Sequence, residues 1–178
     1  MAATLMQTEA VPASYPATPT GLSLAAAALS AAMIWQRIEA YISTRWTARV
    51  VIWTAEGPGD WTPPLTPATF TAWEQWTGTA WAAYTPDASP FGGYGLACEG
   101  PYRFTATVGS GTVPEAVNEA FRRLAEYMAS TIENPGATSE AYSVGPINVS
   151  VSRGATWAAR AMSNSGAADL LRPYRRTA

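Results

Sequence analysis

The sequence predicts an α+β fold: a mainly helical body of two long helices, a small antiparallel β insertion and extended terminal arms. Two stretches repeat apolar residues at helical spacing, whereas the segment between them alternates apolar and polar residues among turn-forming ones. The length of 178 residues suits one domain with arms. We expect an extended N-terminal arm at 1–21, a body at 22–164 with the insertion at about 49–108, and a tail at 165–178.

The arm and the first long helix are predicted from proline and serine positions. Pro12, Pro16 and Pro19 interrupt a leader that has no periodic apolar pattern, which is typical of an extended or disordered segment. Ser23 can cap a helix over about residues 23–45. The apolar face of this helix consists of Leu24, Ala28, Ala31, Ile34, Ile38, Tyr41 and Ile42.

The second long helix, predicted over 114–133, has the most regular pattern in the chain. Pro114 suits the first helical position, and Glu115 lies in the first turn, where the helix dipole favours an acid. Its apolar residues repeat at intervals of three and four: Val113, Val117, Ala120, Phe121, Leu124, Met128 and Ile132. We expect it to end near 134–136, at Asn-Pro-Gly.

The β insertion is predicted as short strands joined by turns. We expect strands at 49–54 and 100–108, a turn at 57–60, and a hairpin formed by 69–76 and 80–84. After the second helix, alternating apolar residues predict a strand within 142–152, and alanines predict a short helix at 155–162.

The composition excludes several classes of enzyme. All eleven basic residues are arginine, so the chain has neither the histidine of common nucleophilic triads and zinc sites nor the lysine of a P-loop or Schiff base. Cys98 is the single cysteine; it cannot form an internal disulfide and is expected to be a buried small side chain. Glu56, Asp60, Glu74 and Asp87 could converge as acid-base groups, but their spacing does not require it. We therefore predict a protein that is not an enzyme and holds no cofactor or metal.

Charge is scarce and unevenly placed. Charged residues make up 13% of the chain, about half the usual share, which favours subunits whose flanks are buried against neighbours. Between Val50 and Tyr102 there are five acidic residues and no basic one, whereas Arg153 and the residues after it include five arginines and one acid. This asymmetry indicates complementary faces between subunits or toward different partners.

The C-terminal tail combines an apolar anchor with a basic end. Small residues lead into Leu170 and Leu171, enough for about one helical turn, and Pro173 is expected to stop the helix and hold the chain extended. Tyrosine and arginine beyond the leucines are typical of interface hot spots. The candidate docking residues are Leu170, Leu171, Arg172, Pro173, Tyr174, Arg175 and Arg176.

Two motifs connect this layout to a known family. The segment from Gly100 to Ala106 (GPYRFTA) precedes Val-Pro-Glu-Ala at the start of the second helix, and Ser165–Arg176 reads SGAADLLRPYRR. In this order of elements the chain resembles the head-tail connector (adaptor) proteins of long-tailed bacteriophages and of the related gene transfer agents. The chain differs from that family in its longer proline-rich leader and in the more elaborate segment at 142–162.

The resemblance implies a structural virion protein that forms a ring, typically of twelve subunits, at the head-tail interface. DNA passes through the lumen of such a ring without sequence-specific binding. The partners implied are other copies of the chain, the portal protein, which the C-terminal segment grips, and a tail-side connector or stopper protein. We accordingly expect Leu170 and Leu171 to be buried in a neighbouring protein, and Arg172, Arg175 and Arg176 to meet carboxylates there.

A tryptophan-rich carbohydrate-binding module is the alternative function. Of the eight tryptophans, Trp61, Trp73, Trp76 and Trp81 fall in the predicted insertion, where exposed rings could stack on sugars. A role in the core or in a subunit contact accounts for them more simply. No apolar run has the length of a membrane span, and the first residues do not resemble a signal peptide. We expect a soluble protein, made in the bacterial cytoplasm, with no membrane partner.

Overall fold

The computed structural model describes residues 2–130, 139–144, 147–152 and 156–175. These residues form two compact units. The sheet unit consists of the described residues of 1–16 and 43–112, and the helical unit consists of those of 17–42 and 113–175. Among the described residues, no helix is both long enough and apolar enough to cross a membrane.

The sheet unit is a single antiparallel sheet. Its strands are β1 (Ala3–Glu9), β2 (Arg49–Trp61), β3 (Ala68–Trp76), β4 (Trp81–Ala83), β5 (Asp87–Ala88) and β6 (Tyr94–Val108). They are ordered β1-β2-β6-β3-β4, and β5 pairs separately with β6. The N-terminal strand β1 and the hairpin strand β4 therefore form the two ends of the main path.

The core of the sheet unit lies on one face and is largely aromatic. Trp53 and Tyr102 are fully buried, and Trp61 stacks on Phe104 with ring centroids 4.1 Å apart and planes 9° apart. Alternation along β2 and β6 places these rings on the same face. The acidic, tryptophan-rich middle of the sequence thus has its own apolar core.

Strand β1 is fastened to this core by polar side chains. The Trp53 indole nitrogen donates a 2.7 Å hydrogen bond to Gln7 Oε1, and the Trp61 indole nitrogen donates a 2.8 Å bond to Thr4 Oγ1. At the end of the strand, Glu9 forms an ion pair with Arg45 at 2.7 Å. Both indoles are buried, and an unsatisfied buried donor is costly. Strand β1 therefore stabilises the core by supplying acceptors for the two indole N–H groups.

The helical unit is built around one helix. Its elements are α1 (Leu24–Ala27), α2 (Ala31–Tyr41), α3 (Glu115–Ala129), the strands β7 (Ser139–Val144) and β8 (Ile147–Ser152), α4 (Ala161–Asn164), α5 (Ala167–Leu171) and a 3-10 turn (Arg172–Tyr174). All four other helices contact α3. Its buried face includes Val117, Phe121 and Leu124, which confirms the periodicity predicted for this helix.

The predicted fold class is wrong. Over the described residues the protein is mostly β-sheet, with five short helices, and not a body of two long helices. The predicted helix at 23–45 is divided because Ser23 and Ser30 each cap a separate helix, with side chains that accept hydrogen bonds from Ala26 and Met33 N–H groups. Serine competes for backbone hydrogen bonds within a helix and favours a helix start.

Three further predictions in the sheet unit are corrected. Residues 3–9 of the predicted N-terminal arm at 1–21 are extended but not free, because they form β1 and pair with β2. Cys98 is exposed rather than buried. Pairing between β2 and β6 passes from Gly57–Gly100 to Gly59–Leu96, so the residues between Leu96 and Gly100 have no partner in β2. The expected turn at 57–60 is this irregularity within a longer β2.

The remaining predictions have mixed outcomes. The hairpin is confirmed by pairing of β3 with β4, and the strand at 100–108 is confirmed as part of β6. The segment at 142–152 contributes to two paired strands, β7 and β8, rather than one. Residues 156–160 form turns, and α4 begins only at Ala161. The second long helix, predicted over 114–133, is shorter than expected, because α3 ends at Ala129 and Ser130 has extended backbone; residues 134–136 lie outside the described residues.

Candidate docking surface

The C-terminal segment, defined here as Gly166–Arg175, begins with a sharp change of direction. Gly166 has φ of 73° and precedes α5, which follows α4 almost directly. This left-handed conformation favours glycine because a side chain would be strained there. The turn places α5 against α3.

Helix α5 is anchored within its own chain. Ala167 and Leu171 are fully buried, whereas Leu170 is partly exposed. The four-residue spacing of Ala167 and Leu171 places them on the same face of α5. The expectation that Leu171 is buried in a neighbouring protein is therefore wrong, and Leu170 is the leucine whose surface remains partly accessible.

The chain beyond Leu171 is more helical than expected. Arg172, Pro173 and Tyr174 form a 3-10 turn, with proline at a position near its start that needs no N–H donor. The backbone becomes extended at Arg175, where ψ is 137°. Pro173 thus continues the turn for one more residue before the chain extends, rather than ending it at once.

Two arginines of this segment present charge to solvent. Arg172 and Arg175 are both exposed. The Arg175 guanidinium carbon lies 4.5 Å from the centroid of the Tyr41 ring, and Arg175 Nη1 donates a 3.2 Å hydrogen bond to the Tyr41 hydroxyl. Within the described ranges, neither arginine has a carboxylate at ion-pair distance. Their charges are available to an acidic partner; Arg176 lies outside the described residues.

The arginines of α3 differ in this respect. Arg122 forms ion pairs with Glu115 at 2.8 Å and with Glu119 at 3.1 Å, and Arg123 pairs with Glu119 at 2.9 Å. Hydrogen bonds from Arg123 and Arg122 hold the pKa of Glu119 below its usual value. The positive charge on α3 is thus balanced locally, whereas that of the C-terminal segment is not.

The four tryptophans of the alternative function do not form one surface. Trp61 is buried, and Trp73 packs beside Phe70. Only Trp76 and Trp81 lie together near the surface, with centroids 5.4 Å apart at an angle of 61°. Two rings at this angle do not offer a flat platform for a sugar.

The four acidic residues considered for catalysis also do not line one pocket together. Glu74 accepts a 2.6 Å hydrogen bond from Arg103, which lowers the pKa of Glu74. A groove of about 540 Å³ beside Trp61 is lined by Asp60 but by none of the other three acids. In the part of the chain that is described, no three acidic or cysteine side chains are placed to hold a metal.

Tyr41 contacts the candidate docking segment in a way that the sequence did not indicate. The helical spacing places Tyr41 on the apolar face of the first predicted helix, yet its hydroxyl accepts a hydrogen bond from Arg175, which is 134 residues away in the sequence. No local pattern in the sequence indicates such a contact.

Comparisons with protein-family models, characterised proteins and solved structures find no match to this chain.

Proposed function

We propose that this chain is a head-tail adaptor of a long-tailed bacteriophage or gene transfer agent. In this role it is a structural virion protein, not an enzyme. Copies form a ring, with twelve as the expected number, between the portal and a tail-side connector or stopper, and DNA passes through the lumen without sequence-specific contacts. The proposal starts from the resemblance of the 100–128 and 165–176 segments to that family.

The observation that carries the proposal is that some residues of the C-terminal segment are buried in their own chain while its arginines are exposed. Leu171 and Ala167 hold the segment on α3, while Arg172 and Arg175 remain exposed and without acidic partners among the described residues. Unpaired arginines are costly to bury unless a partner supplies carboxylates, and they then form strong, oriented contacts. A portal surface with exposed acidic side chains would supply these carboxylates when the arginines are buried.

Low charge supports the ring. A chain with 13% charged residues and 48% hydrophobic residues has little charge to keep copies apart. A head-to-tail contact between identical copies closes into a ring when its rotation allows. A channel that DNA must traverse freely does not need a tight grip on phosphate, so the absence of lysine from the sequence is no objection to the proposal.

The test is charge reversal of the exposed arginines, because deleting the whole segment would also remove the buried Leu171. The double variant Arg172→Glu and Arg175→Glu should fold and oligomerise as the unchanged protein does, yet lose binding to the purified portal. In particles that lack the native chain, it should fail to join heads to tails.

The control for position is Arg160→Glu, which reverses one exposed arginine of the helical unit outside the C-terminal segment and is compared with each single reversal, Arg172→Glu and Arg175→Glu. It should retain portal binding at the same ionic strength. Equal binding by the double variant and the unchanged protein would contradict the proposed role of the segment. Equal loss in the Arg160→Glu variant would show a general charge effect instead.

A further inference from the structure

A groove lies beside Trp61 at the end of strand β2, within the sheet unit. It has a volume of about 540 Å³, and its walls include Ala2, Trp61 and Phe91. Trp61 is 2% exposed, so the groove is built on a fixed part of the core. Asp60 is the charged residue of the described lining. The groove therefore combines apolar walls with one carboxylate.

The turn at 89–93 holds Phe91 at the rim of this groove. It is closed by a 3.1 Å hydrogen bond from the Ser89 N–H to the Gly93 carbonyl. Gly93 has φ of 86°, and a Cβ there would clash with the Trp61 carbonyl oxygen. The turn depends on glycine for this close approach to β2. Phe91 is 80% exposed although the turn fixes its backbone.

An exposed phenylalanine in a fixed turn is typical of a protein contact. Aromatic side chains are enriched in interfaces relative to the rest of a protein surface. A residue whose backbone is already ordered loses less conformational freedom on binding than one in a mobile loop. The exposed ring of Phe91 therefore marks the groove as a surface that a partner can cover.

The groove lies at an acidic end of the sheet. Asp60 on β2 and Asp87 on β5 both lie opposite Gly95 of β6. Both aspartates therefore project from the same face, and the glycine places no side chain between them. Both are exposed, and neither forms an ion pair among the described residues.

The arginines of the described sheet unit are each engaged with another carboxylate. Arg45 and Arg49 contact Glu9 at 2.7 and 3.1 Å, and Arg103 contacts Glu74 at 2.6 Å. The negative charge beside the groove is therefore not balanced within this unit. Such a surface repels the phosphates of DNA and of anionic lipids, whereas it attracts a cationic protein segment.

We propose that the groove beside Trp61 binds an arginine side chain of the tail-side connector or stopper protein. Arginine has an apolar stem and a charged, planar end that stacks on aromatic rings, which matches a groove with apolar walls and one carboxylate. The guanidinium pairs with Asp60, and the stem packs against Phe91. The inference rests on the adaptor proposal and deepens it by assigning the chemistry of the tail-side contact.

The first test measures peptide binding by the purified full-length protein labelled with para-fluorophenylalanine. The chain has four phenylalanines, and the Phe91→Leu variant identifies the fluorine signal of Phe91. The probes are acetyl-Leu-Arg-Leu-amide and the same peptide with citrulline, which has nearly the shape of arginine but no charge. We expect a saturable shift of the Phe91 signal, with a Kd about ten-fold higher for the citrulline peptide.

Two variants separate the groove from the general charge of the sheet unit. Asp60→Asn should raise the Kd of the arginine peptide about ten-fold. Glu99→Gln removes an exposed carboxyl outside the groove lining and should change the Kd little. The absence of a saturable shift, equal affinity for the two peptides, or equal losses in the two variants would overturn the inference.

The second test uses particles in which a variant replaces the native chain. Asp60→Arg and Phe91→Ala alter exposed side chains, so the fold should be retained. Both variants should bind the purified portal as the unchanged protein does, yet join about ten-fold fewer tails to heads. Glu99→Arg introduces the same charge outside the groove lining and should join tails normally.

The two assays separate this inference from the adaptor proposal. Groove variants that join tails as well as the unchanged protein would overturn the inference and leave the adaptor role intact. An altered oligomeric state of Asp60→Arg would also overturn it, because the occupant would then be a second copy. If the unchanged protein did not bind the portal, the adaptor proposal itself would be refuted, whereas the peptide assay reports on the groove without any other virion protein.

Discussion

Arg175 lies over the aromatic ring of Tyr41, with the guanidinium carbon 4.5 Å from the ring centroid. The contact holds a basic side chain in a defined position although the residue itself is exposed. A cation above a tyrosine ring is stabilised by about 0.5–1 kcal/mol at such sites. The end of the C-terminal segment is therefore partly ordered before any partner binds.

We predict that this contact can be measured with a double-mutant cycle. Tyr41→Leu and Arg175→Ala should each lower the free energy of unfolding, and the double variant should show a coupling of about 0.5–1 kcal/mol. Tyr41→Phe retains the ring and should retain most of the coupling. Urea unfolding of the four proteins measures it, and strictly additive effects would contradict the contact.

The two adjacent leucines should differ strongly in their effect on stability. Leu171→Ala creates a cavity beside α3 and should destabilise the protein by about 2–5 kcal/mol, since Leu171 is fully buried. Leu170→Ala, at a partly exposed position, should cost much less. Denaturant unfolding of both variants provides the comparison. Equal losses would mean that the two side chains are equally buried.

The hydrogen bond between Gln7 and Trp53 should contribute to the stability of the sheet unit. Gln7→Leu removes the acceptor 2.7 Å from a buried indole nitrogen and should cost about 1–3 kcal/mol through the unsatisfied donor. Thr8→Val changes the exposed neighbour on the same strand and serves as the control. Thermal and urea unfolding measure both, and an unchanged Gln7→Leu variant would refute the role assigned to this bond.

The Glu74–Arg103 pair should add an acid-dependent component to stability. The hydrogen bond from Arg103 lowers the folded-state pKa of Glu74. The pair therefore stabilises the folded state at pH values above the unfolded-state pKa, and this contribution is lost as the pH falls through the folded-state pKa. Glu74→Gln should lower stability at about pH 7, and its difference from the unchanged protein should shrink as the pH falls through the folded-state pKa of Glu74.

The control for this pH dependence is Glu99→Gln, which removes an exposed carboxyl that forms no ion pair among the described residues. Unfolding by urea across the acidic range measures both variants. A Glu74→Gln variant whose stability falls as steeply with acid as that of the Glu99→Gln variant would contradict the prediction.

Two glycines near the end of the sheet offer a matched pair of backbone tests. Gly109 and Gly111 have similar positive φ angles of 93° and 88°. A Cβ at Gly109 would clash with the Thr47 carbonyl oxygen, whereas a Cβ at Gly111 would have nothing within 4 Å. Gly111→Ala should cost about 1–2 kcal/mol for the left-handed conformation alone, and Gly109→Ala should cost clearly more. Equal melting temperatures would contradict the clash.

Local patterns in the sequence were sufficient to predict two kinds of element: those whose partner is close in the chain, and those whose apolar repeat extends over many residues. The face of α3 follows from the spacing of Val117, Phe121 and Leu124, because a fifteen-residue amphipathic helix can bury its apolar side only one way. The β3–β4 hairpin follows from its short connection. The same reasoning failed at residues 23–45, where a capping serine at position 30 outweighs a continuous apolar pattern.

By itself, the sequence determined the chemistry available to this protein: arginine as the only cationic side chain, an aromatic middle segment and a C-terminal segment with two leucines and basic residues. Only the tertiary structure decided how these groups are used. It paired β1 with β2 about fifty residues later, buried Leu171 rather than Leu170, and placed Tyr41 beneath Arg175. The physical reason is that burial and strand pairing depend on contacts between distant residues, which compete across the whole chain and leave no local signature in the sequence.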